Sequence, residues 1–472
     1  MSADWKIIEA DLTVLDRISS LVAHVVKPGD LVALSGELGA GKTTFARLLI
    51  THLSGATNEE IPSPTFALAQ RYELGRFPVT HIDCYRLDAP SEIEEIGLED
   101  AVDEGVVLIE WPERVAGYLP PDRIDIHLED AGSETTRNLL VTGHGAFAPR
   151  LDRLEAMAEF IEREGWGAAA VSYLQGDAST RAYAQLSTDG QNAILMDAPK
   201  IPDGPPVRNG KAYSTIAHLA EDVSAFVAVA NALREAGFSA PEIMAHDLAH
   251  GFLILEDLGK RVFAAEIAAG GDEEILYRAA ADALVALRKV PAVEKLALPG
   301  GAHHRLPPYD VAALEIEVEL LLDWFWPLVH GQAAPDNARA GFLEHWRPLF
   351  AQLGAEPEGW VLRDYHSPNL LWLPERTGLA RVGIIDFQDA VRGPAAYDLV
   401  SLLQDARRTV SPALEETLFR HYCASVEGSE ASFDPDSFKA TYAMMGAQRN
   451  TKILGIFARL ATRDGKRDYL SH

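Results

Sequence analysis

Gly36-Glu37-Leu38-Gly39-Ala40-Gly41-Lys42-Thr43 fits the spacing G-x-x-x-x-G-K-[ST]. It stands between a short apolar run, Leu31–Leu34, and the stretch Thr43–Leu53, where Phe45, Leu48 and Leu49 recur at helical spacing. Glycines let backbone N–H groups curl around phosphate oxygens with no Cβ in the way. Lys42 is then placed to reach β- and γ-phosphates, and Thr43 to offer a hydroxyl to Mg2+. The helix that follows turns its positive end toward the anion. Gly36, Gly39, Ala40, Gly41, Lys42, Thr43 and Thr44 are the expected nucleotide-binding residues. The bland alternative, an incidental Gly-rich turn, does not need a strand before the loop and a helix after it.

Outward from this loop the chain alternates short apolar runs with helical spacing. Val79–Cys84 and Val106–Ile109 are further buried-strand patterns. Glu110 directly follows the second, and an acid there can bind Mg2+ through water or orient the attacking water. Asp83 ends the first and is a second candidate for the metal shell. Alone, each is also a common strand-end residue. Ile124-Asp125-Ile126-His127-Leu128 alternates with period two and reads as an edge strand. Together these predict an α/β domain over residues 1–148. The Gly-containing, breaker-rich stretch Thr142–Pro149 marks its end.

The chain has 472 residues, enough for two or three domains. Its formal net charge is -28, so general binding to nucleic acid or an anionic membrane is not expected. Two cysteines, Cys84 and Cys423, stand far apart and form no disulfide framework or metal-ligand spacing. The N-terminus lacks a basic region followed by an apolar stretch, and no apolar run approaches the roughly 20 residues of a membrane helix. The expected location is cytoplasmic.

A second phosphate-handling pattern lies far downstream. Asp364-Tyr365-His366-Ser367-Pro368-Asn369 and Ile384-Ile385-Asp386-Phe387 carry the acid, amide and acid of a kinase-type catalytic loop. Asp364 is the expected acceptor of the substrate hydroxyl's proton, with Asn369 and Asp386 as metal ligands. Asn369–Leu373 and Val382–Ile385 read as two strands whose pairing brings Asn369 beside Asp386. Upstream, Leu151, Leu154, Met157, Phe160 and Ile161 mark an amphipathic helix, and Ala168–Ala198 holds strand-like segments around a turn at Asp189-Gly190. Gly176-Asp177-Ala178-Ser179-Thr180-Arg181 is placed to cover ATP phosphates. Leu255-Glu256-Asp257-Leu258-Gly259 is placed to meet adenine, through Glu256 and Leu258. The second domain is therefore 149–472, a two-lobed α+β kinase-like fold with lobes at about 149–258 and 259–472.

Four elements occur in order in the N-terminal part: Gly36–Thr44, Ser63-Pro64-Thr65-Phe66, His81-x-Asp83-x-Tyr85-Arg86 and Leu108-Ile109-Glu110-Trp111-Pro112-Glu113-Arg114. The set resembles the TsaE family, the ATPase that supports synthesis of threonylcarbamoyladenosine in tRNA. The resemblance implies that Lys42 and Thr43 hold ATP and Mg2+, and that Asp83 and Glu110 complete the metal and hydrolysis site. It further implies that Thr65 belongs to a switch-like loop, that Trp111 lies at the site, and that TsaD- and TsaB-like subunits are partners.

Residues 150–472 resemble the aminoglycoside phosphotransferase-like kinases. The motifs Asp177–Arg181 with Tyr183, Leu195-Met196-Asp197-Ala198-Pro199, Glu256–Gly259, Asp364–Asn369, Asp386-Phe387-Gln388-Asp389 and Gln448-Arg449-Asn450-x-Lys452 resemble, more narrowly, the AmgK family. Those are anomeric kinases of N-acetylmuramate and N-acetylglucosamine. Met196 stands where a kinase lysine is usual, with Arg181 and Lys200 as the nearby cations. Gln388 replaces the glycine of the usual Asp-Phe-Gly, which restricts backbone switching and points to a constitutively assembled metabolite kinase. Two readings stay open at this point beside the bifunctional one. The kinase could act on an aminoglycoside or another small alcohol, or be an inactive partner-binding module, as Met196 would favour.

Overall fold

The computed structural model describes residues 2–55, 68–133, 135–174, 181–353 and 358–471. The chain forms two compact units. One comprises Met1–Ala198 with Ala245–Leu255, the other Pro199–Met244 with Glu256–His472. Among the described residues no helix is long and apolar enough to cross a membrane.

The first unit is built on seven strands: β1 (Ser2–Ala10), β2 (Leu31–Gly36), β3 (Ala69–Glu73), β4 (Pro78–Asp83), β5 (Val106–Glu110), β6 (Arg123–Asp130) and β7 (Arg137–His144). Their order is β1-β7-β6-β2-β5-β4-β3. The centre, β6-β2-β5-β4, is parallel, and the flanking pairs are antiparallel. Parallel strands covered on both faces read as unbroken apolar runs, and β2 and β5 illustrate why. Val32, Leu34, Val106 and Leu108 point into one core with Phe45 and Leu49. Leu31, Ala33, Val107 and Ile109 point into a second core with Ile82 and Ile93. Each large apolar side chain so buried contributes about 1.5–3 kcal/mol.

Helix α1 (Leu12–Val25) is capped by Asp11, whose side chain accepts from the Val14 N–H. Helix α2 (Lys42–Ser54) begins from Gly41 at φ +105°, a left-handed step that suits glycine.

One sequence expectation needs correction. β6 is not an edge strand: it lies between β7 and β2. Its alternation arises because Ile124, Ile126 and Leu128 face the core while the intervening residues stay half-exposed. The stretch Thr142–Pro149 is the end of β7, one 3-10 turn, and the start of helix Ala148–Arg163. It has two glycines: Gly145 takes a positive φ of +56° in the turn, while a Cβ on Gly143 would stand 3.0 Å from both the Ala148 Cα and the Leu151 Cβ.

The expected strands around Asp189-Gly190 are β8 (Ala170–Leu174), β9 (Ala182–Thr188) and β10 (Gln191–Asp197). With Ile243–Asp247 and Phe252–Glu256 they form a five-stranded sheet, in which β9 pairs antiparallel with both β8 and β10. One face of it shares the core of α1 and α2: Ala193, Leu195, Val171 and Phe252 belong to the same cluster as Leu21 and Phe45.

The second unit is mainly helical. Its principal helices are Glu273–Leu287, Val311–Leu320, Ala396–Leu403, Pro412–Glu427 and Pro435–Arg463. Among the described residues four short antiparallel strand pairs accompany them, including Glu358–Val361 with Val391–Pro394 and the hairpin Leu370–Trp372 with Val382–Ile384. Gly455 of the last helix touches the backbone of Leu320, where a Cβ would meet the carbonyl carbon at 2.3 Å. That contact brings the last helix onto Val311–Leu320.

Candidate functional sites

The glycine loop joins β2 to α2 at the C-terminal edge of the parallel strands, where ligands of open α/β sheets ordinarily bind. Gly36, Gly39 and Gly41 all have positive φ, and a Cβ on Gly36 would fall 2.2 Å from the Leu128 carbonyl oxygen. Lys42 Nζ donates to the Gly36 and Glu37 carbonyls at 2.8 and 2.9 Å and lies 3.7 Å from the centroid of the Trp111 ring. Burial lowers the Lys42 pKa, against the opposing pull of Glu110, Glu113 and Asp83.

Thr43 Oγ1 donates to Glu110 Oε2 at 2.8 Å, and the other oxygen of Glu110 meets His81 Nε2 at 3.0 Å. Asp83 is the register neighbour of Glu110 across β4–β5, and its carboxylate accepts from the Tyr85 N–H at 3.0 Å. Trp111, at φ +61°, lies with its ring centroid 5.0 Å from that of Tyr85. The fold thus gathers Lys42, Thr43, Glu110 and Trp111, with Asp83 alongside, while Ala40 and Thr44 flank the loop's exit. Ser63–Phe66, including Thr65, lies outside the described residues.

Two residues here carried no assigned role in the sequence reading. His81 is buried against Glu110. The available signal was its place two residues before Asp83, on the same face of the strand. Arg137 Nε donates to the Ala40 carbonyl at 3.1 Å, bracing the loop from β7, and nothing local in the sequence announces it. A cleft of about 1230 Å³ opens beside the loop, lined among others by Gly39, Trp111, His127, Asp130 and Arg137.

The second site lies in the second unit. Pairing Leu370 with Ile384 puts Asn369 next to Asp386, as the spacing predicted. Asn369 Nδ2 donates to the Asp364 carbonyl at 3.0 Å and to Asp386 Oδ2 at 3.3 Å. Gln388 Nε2 donates to Asp386 Oδ1 at 2.9 Å, so the residue replacing glycine orients the acid. Asp364 and Asp386 are both held by local strain, with Arg363 at φ +68° and Asp386 at φ +62°. Asp398 supports the loop: its two oxygens accept from the Leu362 and Arg363 N–H groups at 2.7 and 3.0 Å. Burial pushes the Asp398 carboxyl up to about 7 against those two donors. His366 stands 3.8 Å from Asp364, and burial lowers its pKa, which keeps the ring neutral.

Glu256 is engaged by Arg234 and Arg376. Leu258 packs with Leu371 and Leu373 under the hairpin. In the first unit, Met196 lies on the sheet face opposite Asp197, whose carboxylate pairs with Arg153 and stands 3.7 Å from His24. Arg181 enters β9, Lys200 is exposed, and Gly176–Thr180 lies outside the described residues. Among the described residues no three His, Cys, Asp or Glu side chains form a protein-only metal cage. Magnesium is ordinarily held by one or two carboxylates with phosphate and water. Both sites fit that requirement, one through the Thr43–Glu110 pair and the other through Asp386 and Asn369.

Comparison with known proteins matches the chain in two parts, the second of which takes in residues of both compact units. Residues 10–139 match the family described as threonylcarbamoyl adenosine biosynthesis protein TsaE. Residues 170–439 match the phosphotransferase enzyme family. An N-acetylmuramate/N-acetylglucosamine kinase of Caulobacter vibrioides is 42% identical over 327 residues, covering 67% of this chain and 88% of that protein. A protein of the same description from Pseudomonas aeruginosa is 33% identical over 319 residues, covering 66% of this chain and 84% of that one. A tRNA threonylcarbamoyladenosine biosynthesis protein TsaE of Rickettsia conorii is 41% identical over 128 residues, covering 27% of this chain and 73% of that one. With Lys42, Thr43 and Glu110 gathered in one fold and Asp364, Asn369 and Asp386 in another, the chain belongs to the TsaE family through residues 10–139 and to the phosphotransferase enzyme family through residues 170–439.

Proposed function

We propose that this is a bifunctional cytoplasmic protein: an ATPase supporting threonylcarbamoyladenosine modification of tRNA, and an ATP-dependent 1-kinase of N-acetylmuramate and N-acetylglucosamine. The ATPase domain is residues 1–148, and the kinase domain 149–472 has lobes at about 149–258 and 259–472. The observation that carries the reading is the presence of two separate sets of phosphate-handling side chains, Lys42–Thr43–Glu110 and Asp364–Asn369–Asp386. The relatives named as amino-sugar kinases support that acceptor over an aminoglycoside.

In the kinase reaction, Asp364 takes the proton of the C1 hydroxyl as its oxygen forms a bond to the γ-phosphorus. The bond from that phosphorus to the bridging oxygen breaks, and ADP leaves. Asn369 and Asp386 would hold magnesium, which neutralises phosphate charge when bound. Arg181, Glu256 and Leu258 would line the nucleotide on this side. In the ATPase, the loop amides and Lys42 hold the phosphates, Glu110 orients the water, and Thr43, Asp83 and Glu110 would hold the metal. Trp111 would lie against the nucleotide. Partners are TsaD- and TsaB-like subunits, with no direct contact to tRNA.

The test is an ATP-coupled assay against a panel of free sugars and aminoglycosides, with NMR of the product. Phosphate on the reducing C1 of an amino sugar, labile to mild acid, is the expected result. Phosphorylation of an aminoglycoside hydroxyl instead would overturn the substrate assignment.

A further inference from the structure

Immediately before Asp364 stands Arg363, almost fully buried and held at φ +68°. A buried guanidinium needs a counter-charge, and a non-glycine residue keeps a left-handed backbone only where its surroundings enforce it. The counter-charge is Glu317, fully buried on helix Val311–Leu320, with Oε1 3.8 Å from Arg363 Nη1. Glu317 is itself fixed from three sides. Lys452 Nζ donates to Oε1 at 2.8 Å, Gln448 Nε2 donates to Oε2 at 2.9 Å, and the Tyr309 hydroxyl donates to Oε2.

Gln448 and Lys452 are four apart on helix Pro435–Arg463. They reach Glu317 because Gly455 lets that helix touch Leu320. The Arg363 fork also donates through Nη2 to the Ala217 carbonyl at 2.7 Å and lies 4.9 Å from the centroid of the Tyr309 ring. Among the described residues its Nε and Nη1 find no hydrogen-bond partner. The fork is thus located by charge and packing more than by a saturated set of bonds. Burial alone would raise the Glu317 pKa, but Lys452 and Arg363 together hold it below the ordinary value.

We propose that Glu317 is a positioning residue for the kinase reaction: held by Lys452, Gln448 and Tyr309, it anchors Arg363, and thereby the left-handed backbone step that presents Asp364 to the acceptor hydroxyl. An arginine next to a catalytic aspartate can be neutralised by a phosphate added to the chain. Here a carboxylate inside the fold supplies the same charge permanently. The proposal rests on the kinase reading given above.

The experiment uses the full chain and three variants. Glu317→Gln removes one charge and strands two cations, so destabilisation is expected. The pair Glu317→Gln with Lys452→Gln removes one charge of each sign. Glu317→Asp keeps the charge and withdraws it by one methylene. For each, kcat and both KM values for sugar phosphorylation are measured, together with the thermal midpoint and the P-loop ATPase of the same molecules.

The expected result is a kcat lowered about a hundredfold in the folded double variant, the order a misplacement of about 1 Å costs. KM values for sugar and ATP are expected within about twofold and the ATPase unchanged, with Glu317→Asp about tenfold down in kcat. Recovery of wild-type kcat in the double variant, or an unaltered kcat in Glu317→Asp, would overturn the positioning role. If the double variant does not fold, Glu317→Asp decides. Absence of sugar turnover in the wild-type chain would instead overturn the functional reading beneath it.

Discussion

The two sites solve one electrostatic problem with different materials. Around Gly36–Lys42 the grip is mostly main chain: three glycines at positive φ, a helix N-terminus and one lysine folded onto loop carbonyls. Around Asp364 the grip is side chains, one amide and two acids set by a hairpin and by two strained non-glycine residues. A backbone cradle tolerates little change in shape. A side-chain cradle tolerates more at any one position and depends on supports far along the chain, such as Asp398 and Glu317.

Four substitutions and one change of condition sharpen or break this contrast. The largest effect belongs to Asp364→Asn, which removes the proton acceptor. Sugar phosphorylation should fall about 10²–10⁴-fold, with the P-loop ATPase unaffected in a phosphate-release assay. Lys42→Ala should do the converse, lowering the ATPase about 10²–10³-fold while kcat of the kinase holds. Equal loss of both activities in folded protein, from either substitution, would mean that the two sites are one.

Glycine replacement should separate them next. In Gly36→Ala the new Cβ meets the Leu128 carbonyl at 2.2 Å at a φ of +135°, so strain of at least about 1–3 kcal/mol is expected by chemical denaturation. In Gly383→Ala, within the kinase hairpin, the closest contact is the Leu371 Cβ at 3.1 Å and φ is not in the left-handed region. That change should cost less than the one at Gly36.

The smallest effect is in pH. The Lys42 cation is the form that binds phosphate, and burial lowers its pKa. Nucleotide affinity at the P-loop should therefore weaken below the ordinary lysine value of about 10.4 as pH rises. The kinase site has Met196 where that lysine would stand, so its KM for ATP should stay flat over the same range. Parallel weakening at both sites would show that a lysine serves the kinase after all.

Both glycine loop and catalytic loop were legible because their chemistry is local: eight contiguous residues in one, and a five-residue spacing plus one hairpin in the other. What was not legible depends on distance or on packing. Lys452 and Glu317 are 135 positions apart, and no periodicity links them. Arg137 reaches Ala40 from 97 residues away. The edge reading of Ile124–Leu128 failed because alternation reports one buried face and does not count neighbours. Of the two glycines in Thr142–Pro149, Gly145 does break the strand in a turn, whereas Gly143 serves as the seat of a helix. Met196, read as a departure from the usual kinase lysine, lies on the sheet face opposite the Asp197–Arg153 pair.

That seat has a consequence for inheritance. Helix Ala148–Arg163 follows β7 after a single turn, and Leu151, Leu154 and Met157 enter the same apolar mass as Phe45 and Leu195. Cutting the chain between β7 and this helix would therefore expose apolar side chains on both pieces. A cell carrying this gene makes the two catalysts in strict one-to-one number, and loses them together.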